Sequence, residues 1–299
     1  MKFKIEIPPL EEFIVYEKFY GVLFWDYNIL KYYSREDNKV YELETTNEDG
    51  TLCILADVEK GEVYSGGGLG TICSLFSEFK SIRTYCIRSV IKHKGEILDG
   101  GWYGLMKTLT NETLISEEDM KENCIELIES LFVDEYQNLY ALVWNKDDTC
   151  IITLPENSGK YSIGEEILHY NVKNIFISQA IAIPGRLEGI NGKTYPFSIL
   201  SCVNSKYLDI DGKKIEGSEV GEHKLIHRIS LLSASPNKIE LIYSGGNINE
   251  IVKAEIENGK VKKKETLVSG LSDNVSALEP VFDKKLHEEL IAKGKENGN

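Results

Sequence analysis

Alternating apolar and charged residues in the last third of the chain predict short antiparallel strands. Residues 252–257 read Val-Lys-Ala-Glu-Ile-Glu, and this period of two places the apolar side chains on one face of a strand. Asn258 and Gly259 follow, and this pair suits a two-residue type I′ hairpin turn because both residues accept positive φ. The lysine-rich segment 261–268 then predicts a returning edge strand, since charges protect an edge from further pairing.

Strands that end in small residues recur along the chain. Segments 64–67 and 243–246 both read Tyr-Ser-Gly-Gly, and segment 99–101 reads Asp-Gly-Gly. Glycine permits the sharp reversal that follows a strand. Three further segments share the apolar part of the pattern: 21–26, 138–144 and 197–203. Successive units start roughly 35 to 60 residues apart, which brackets the period typical of four-stranded propeller blades, and six such units fill the chain.

These repeats, together with Trp25-Asp26 near a strand end, resemble the β-propeller superfamily of WD-repeat-like proteins. The resemblance implies an all-β fold, a six-bladed β-propeller of four-stranded antiparallel blades. An N-terminal strand and segment 275–281 each lack a local partner, so we expect the ring to close by joining the first and last blades. A pair of β-sandwich domains divided near Pro155 is the alternative fold.

The C-terminal residues follow a different period. Leu286, Leu290 and Ile291 stand among charged residues at helical spacing, which predicts a short amphipathic helix. We therefore expect a single propeller domain at 1–283, followed at 284–299 by a short helix and a polar tail. A second short helix is predicted at Ser116, because a serine N-cap precedes acidic residues there.

Charge and hydropathy limit the function classes. The formal net charge is -14, with 48 acidic against 34 basic residues, so the average surface repels a phosphate backbone and no nucleic-acid partner is predicted. No run reaches the roughly 20 apolar residues that span a bilayer, and the first residues lack the pattern of a signal peptide. We expect a cytoplasmic protein without a membrane partner.

The sequence predicts neither a cofactor nor a metal site. Residues 65–70 read Ser-Gly-Gly-Gly-Leu-Gly but lack the spacing of a dinucleotide fingerprint. Asp209-Ile-Asp-Gly lacks the spaced ligands of a calcium loop, and His223 and His227 have no third ligand nearby in sequence. The six cysteines form no Cys-x-x-Cys pair, which favours reduced, buried thiols for residues such as Cys53 and Cys150.

Three side chains are predicted to bind a partner. Trp102 and Tyr103 lie in a glycine-flanked turn, where exposed aromatic residues are common binding anchors. Arg186 is the strong anion-binding group of segment 184–195, which its prolines and glycines predict to be a long loop on one rim.

Two functions from different classes follow from these observations. The first is a non-catalytic scaffold that binds a protein or peptide, favoured because WD-like propellers are commonly platforms and no catalytic spacing is visible. The alternative is a hydrolase acting on a sugar or ester, with paired carboxylates in the central channel. Asp57, Asp99 and Asp134 are the candidates for such a pair, on the analogy of the fold alone.

Overall fold

The chain forms a closed ring of six four-stranded antiparallel sheets, and each sheet is one blade. The computed structural model describes residues 18–27, 29–43, 50–83, 85–145, 148–170, 177–235, 237–272 and 275–297. The predicted six-bladed propeller is confirmed, and the alternative of two β-sandwich domains is wrong.

The first eleven strands build most of blade 1 and all of blades 2 and 3. Blade 1 contains β1 (Gly21–Asp26), β2 (Ile29–Ser34) and β3 (Lys39–Leu43); blade 2 contains β4 (Thr51–Asp57), β5 (Glu62–Gly67), β6 (Thr71–Ser74) and β7 (Lys80–Ile82); blade 3 contains β8 (Ile87–His93), β9 (Glu96–Gly101), β10 (Gly104–Lys107) and β11 (Thr113–Ile115). Helix α1 (Glu117–Glu122) then leads to blade 4, and its Ser116 N-cap confirms the helix start.

The remaining strands build blades 4 to 6 and complete blade 1. Blade 4 contains β12 (Leu127–Val133), β13 (Leu139–Asn145), β14 (Asp148–Thr153) and, after the inserted hairpin β15 (Glu156–Asn157) and β16 (Lys160–Tyr161), the outer strand β17 (Glu166–Tyr170); blade 5 contains β18 (Ile177–Glu188), β19 (Thr194–Val203), β20 (Tyr207–Ile210) and β21 (Lys213–Lys214); blade 6 contains β22 (Arg228–Ser235), β23 (Lys238–Ser244), β24 (Glu250–Glu257) and β25 (Lys260–Ser269); β26 (Val275–Val281) and helix α2 (Lys284–Asn297) end the described chain.

The ring closes because the last strand joins the first blade. Strand β26 is the innermost strand of blade 1 and pairs antiparallel with β1, with Gly21 opposite Val281 and Leu23 opposite Glu279. Segment 275–281 therefore finds its partner in the first blade, as predicted. The N-terminal strand predicted at residues 3–7 lies outside the described residues.

All six recurring segments prove to be the second strand of a blade. The glycines at the strand ends allow the inner strand of the next blade to pack closely. A Cβ on Gly66 would lie 2.8 Å from the Ile87 side chain, and one on Gly100 would lie 2.9 Å from the Ile128 side chain. The repeated small residues are thus required by contacts between blades.

The inner strands run in one direction along the central channel. Between β26 and β4, the Ser276 hydroxyl donates to the Thr51 carbonyl oxygen at 2.5 Å, and the Ala56 N–H donates to the Glu279 carboxyl at 3.3 Å, so both strands advance together. Because strands alternate in direction within a blade, the turn between the second and third strands lies where the inner strands begin. We call that end the upper face and the opposite end the lower face.

Helix α2 packs against blade 1. Leu286 and Leu290 are buried in the core that this blade forms with blade 2, and the buried His287 ring lies 2.7 Å from the Tyr32 hydroxyl. The helix extends to Asn297, so the expected polar tail is helical for most of its length.

Two further predictions have different outcomes. Cys53 and Cys150 are buried and free, as predicted, and desolvation raises the pKa of each thiol to about 12.

The prediction of a long loop at 184–195 is wrong, because β18 and β19 continue as a hairpin in which Leu187 is opposite Tyr195. Only the turn around Gly192, with φ of 76°, separates the two strands.

Two truncations test the closure of the ring. A chain ending at Phe282 loses α2 but keeps β26, so we expect a lower thermal midpoint with a cooperative transition. A chain ending at Ser272 also loses the inner strand of blade 1, which exposes the edge of β1, so we expect no cooperative unfolding by circular dichroism. Equal behaviour of the two chains would contradict the role assigned to β26.

Candidate functional site

A β-bulge near the start of the inner strand recurs in five of the six blades. In each case one residue has no partner on the second strand, and such a residue leaves the ladder and bends its strand. The five unpartnered residues are Leu52, Arg88, Glu129, Ser178 and Ser276. In blade 6 the bulge falls further along the inner strand, and Arg228 begins that strand instead.

The Arg228 guanidinium bonds to three of these bulged residues. Its Nε and Nη2 donate to the Leu52 carbonyl oxygen at 3.0 and 2.8 Å. Nε also donates to the Ser276 carbonyl at 3.1 Å, and Nη1 donates to the Ser178 carbonyl at 3.2 Å. One buried side chain therefore joins blade 6 to blades 2, 1 and 5.

The other two bulged residues form an ion pair beside Arg228. Arg88 Nε and Nη2 donate to the two oxygens of Glu129 at 2.8 and 2.6 Å, and Arg228 Nη1 lies 3.9 Å from Glu129 Oε1. Burial raises the pKa of Glu129, and the positive charges of Arg88 and Arg228 oppose that shift. This Arg88–Glu129–Arg228 cluster occupies the upper end of the channel.

The carboxylates predicted for a hydrolase do not meet in the channel. Asp57, Asp99 and Asp134 lie on three different blades, and each is bonded to neighbouring side chains. Asp57 accepts from Lys92; Asp99 accepts from Arg83, Tyr85 and Thr108; Asp134 accepts from Asn138 and Tyr140. These groups fix the blades and their turns.

Sequence reasoning missed the carboxyl groups that do border the channel, Glu129 and Glu279. A signal for them was present: each is the single acidic residue of a strand that is otherwise apolar or small, Leu-Ile-Glu-Ser-Leu-Phe-Val and Val-Ser-Ala-Leu-Glu-Pro-Val. A charge at such a position on an inner strand points either into the core or into the channel.

A cavity of about 310 Å³ opens at the lower end of the channel. Apolar side chains line most of it, including Ile181, Leu231 and Phe282, and Gln179 and Glu279 are among its few polar groups. Part of the Glu279 surface borders the cavity, but protein surrounds the carboxyl on the remaining sides, and this desolvation raises its pKa to about 8. The lower channel thus combines apolar walls with one carboxyl group.

Exposed apolar side chains gather on the upper face of three successive blades. They lie in the turns between the second and third strands: Tyr27 in blade 1 and Leu69 in blade 2 are 73% and 74% exposed, and Trp102 and Tyr103 in blade 3 are 40% and 46% exposed. We call these four side chains the upper apolar turns.

The structure does not bring Arg186 near Trp102 and Tyr103. Arg186 lies toward the end of β18, on the lower side of blade 5, whereas the two aromatic residues lie on the upper face. The Arg186 side chain is exposed, and its Nε lies 2.8 Å from Glu188. The three predicted binding residues therefore do not form one site.

A wider cavity of about 560 Å³ lies on the lower face across blades 3 to 5. Its charged rim residues are paired with one another, Lys94 with Glu156 and Lys193 with Glu165.

Within the described ranges, no group of three or more His, Cys, Asp or Glu side chains is placed to hold a metal ion. No helix in that part of the chain is long and apolar enough to cross a membrane.

Replacing Arg228 tests whether its hydrogen bonds to three other blades stabilise the ring. In Arg228→Met the carbonyls of three blades lose a buried donor and Glu129 loses a nearby positive charge, so we expect the free energy of unfolding to fall by about 3 to 5 kcal/mol. The matched control is Arg186→Met, which removes an exposed pair and should change it by less than about 1 kcal/mol. Urea denaturation measures both, and equal effects would contradict the assignment.

The raised pKa of Glu279 predicts a pH-dependent stability. Arg88, Glu129 and Arg228 are the charged groups that line a small cavity of the channel together with Glu279. The folded-state pKa is about 8 against an ordinary value of 4.5, so the folded state binds more protons between these values and stability falls as pH rises through that window. Glu279→Gln keeps the acceptor for Ala56 but removes the titration.

We therefore expect the thermal midpoint of Glu279→Gln, relative to the unmodified protein, to rise between about pH 5 and about pH 8.5. Scanning calorimetry across this range measures the difference. A difference that stays constant with pH would show that Glu279 ionises as easily in the folded protein as in the unfolded chain.

Comparison with known proteins identifies the fold only. No protein-family model and no curated protein match the sequence. The fold is similar to that of a protein of unknown function from Bacteroides caccae, with a TM-score of 0.53 and 10% identity over 89% of this chain and 100% of that chain. A chain of the nidogen/laminin complex gives a TM-score of 0.58 and 12% identity over 87% and 97%. The WD40 β-propeller domain of Doa1 gives 0.46 and 12% over 78% and 72%. By its architecture, the chain is a six-bladed β-propeller.

Proposed function

We propose that the protein is a non-catalytic scaffold that binds a segment of another protein through the upper apolar turns. The observation that carries this proposal is the repetition of exposed apolar side chains at equivalent turns, Tyr27, Leu69, and Trp102 with Tyr103, in three successive blades. Large apolar side chains exposed on one face of a protein are typical of interaction sites, and Trp and Tyr are the residue types that contribute most binding energy at interfaces.

The scaffold holds these turns in place before a partner arrives. The Trp25 indole N–H donates to the Tyr27 carbonyl at 2.9 Å, and Tyr103 packs edge-on against the Tyr85 ring at 6.4 Å. Next to Leu69, a Cβ on Gly70 would lie 2.5 Å from the Arg83 carbonyl oxygen, so the turn sits tightly against the neighbouring connection. Ordered side chains lose less conformational entropy on binding.

The charge around this surface indicates the chemistry of the partner. Helix α1 follows the outer strand of blade 3 on the upper face and carries Glu117, Glu118 and Asp119 in its first turn, and the whole chain has a net charge of -14. Charge complementarity therefore favours a segment in which lysine or arginine residues stand beside apolar ones.

Two observations favour a scaffold over the hydrolase alternative. In the Arg88–Glu129–Arg228 cluster both oxygens of Glu129 already accept from Arg88. Asp57, Asp99 and Asp134 are each engaged within or next to their own blade. In another protein, a chain of this fold is part of the nidogen/laminin complex, which illustrates that the architecture is compatible with binding a protein.

Co-purification from the native host tests the proposal. Tagged protein should recover a partner at near-stoichiometric yield by quantitative mass spectrometry. Trp102→Ala and Tyr27→Ala should each lower that recovery at least tenfold, since anchors of this kind contribute about 2 kcal/mol or more.

Tyr136→Ala is the matched control, because Tyr136 is a 60% exposed tyrosine in a turn of the lower face. Its recovery should stay within about twofold of the unmodified protein, as for a tyrosine outside an interface. Recovery that falls with Tyr136→Ala and not with the upper-face variants, or no partner at all, would contradict the proposal.

A further inference from the structure

We propose that the cavity at the lower end of the central channel binds a protonated amine carried on an apolar body, with the Glu279 carboxylate as its counter-ion. The site lies on the face opposite the upper apolar turns, so it is independent of the proposed scaffold function. Its ligand class follows from the walls of the cavity, from the bonding of Glu279 and from the charges around it.

Glu279 has an incomplete set of partners. The Ala56 N–H donates to Oε1 at 3.3 Å, and among the described residues no Lys, Arg or His nitrogen lies within 4.0 Å of the carboxyl. A carboxyl group enclosed by protein without a cation or strong donors is costly to ionise. A cation that entered the cavity would supply the missing partner.

The positive charges of the channel are already engaged. Arg88 pairs with both oxygens of Glu129, and Arg228 bonds to the carbonyls of three blades. Lys92, on blade 3, pairs with Asp57 and Glu59. None of these groups is available to neutralise Glu279.

The rest of the cavity suits a hydrocarbon. Val58, Ile181, Leu231 and Phe282 supply apolar walls, and the volume is about 310 Å³, at the lower end of the range for small-molecule sites. The net charge of -14 also concentrates cations near the surface. An alkylamine or arylalkylamine matches all of these features, either as a free molecule or as a lysine side chain.

Binding of such a cation requires a proton to leave. With a pKa of about 8, Glu279 is mostly protonated at neutral pH. The ammonium group keeps its own protons, the carboxyl releases one to the buffer, and the product is an ammonium–carboxylate pair. Binding should therefore tighten as pH rises toward 8, and it should release close to one proton near pH 7.

Isothermal titration with 2-phenylethylamine tests the inference. We expect binding at millimolar or lower concentration, with an affinity that rises about twentyfold between about pH 6.5 and about pH 8.5. At pH 7 the measured heat should differ between phosphate and Tris buffers by the ionisation heat of about one proton. 2-Phenylethanol, which has the same body without the charge, should bind at least tenfold more weakly.

Two variants separate the site from the overall charge. Glu279→Gln should lower the affinity for 2-phenylethylamine at least tenfold and abolish proton release. Glu59→Gln makes the same substitution at an 81% exposed side chain and should leave the affinity within about twofold, since exposed charges are well screened. Circular dichroism establishes that both variants are folded.

A third arm distinguishes the source of the amine. Nα-acetyl-lysine amide, whose side-chain ammonium is free, is titrated beside 2-phenylethylamine. Tighter binding of one of the two identifies whether a lysine side chain or a free arylalkylamine is preferred. Absence of binding by both amines, equal binding of 2-phenylethanol, or unchanged affinity in Glu279→Gln would overturn the inference.

Discussion

The bonding of Arg228 to the carbonyls of three other blades is the interaction on which the ring depends. In a propeller the inner edge of each inner strand has no partner strand, and buried backbone groups without partners are costly. Here bulges place the carbonyls of Leu52, Ser178 and Ser276 at the channel end, and one guanidinium satisfies them. The Arg228 side chain thus donates hydrogen bonds to backbone carbonyls that a neighbouring strand would satisfy in a flat sheet.

This arrangement separates the two ends of the channel. At the upper end, arginines and Glu129 satisfy one another, so the surface there interacts through the turns of blades 1 to 3. Toward the lower end, bulges fall at Leu232 in blade 6 and between Pro184 and Leu187 in blade 5, and apolar side chains leave a cavity around Glu279. The two proposed sites therefore differ in kind: the upper site consists of exposed turns, and the lower site is a cavity with one carboxyl group.

The sequence was sufficient for the architecture but not for the channel. Alternation and the recurring Tyr-Ser-Gly-Gly segments predict the blades, because these patterns express local strand geometry and contact between neighbouring blades. Each bulge leaves a residue of the inner strand without a partner on the second strand. The alternation of apolar and polar residues does not show which residue this is. Glu129 and Glu279 come to the channel from strands far apart in sequence. Pro184 suggested a loop, but it is accommodated in β18 opposite Phe197 and does not end the strand.

The pairing of β26 with β1 also constrains how the protein is made. During translation, blade 1 lacks its innermost strand until β26 has left the ribosome. Contacts between residues so distant along a chain also form slowly. Meanwhile the free edge of β1, a fully buried strand in the finished molecule, is a template for pairing with other nascent chains. Cells producing this protein quickly would therefore place a particular demand on chaperones that shield unpaired strand edges.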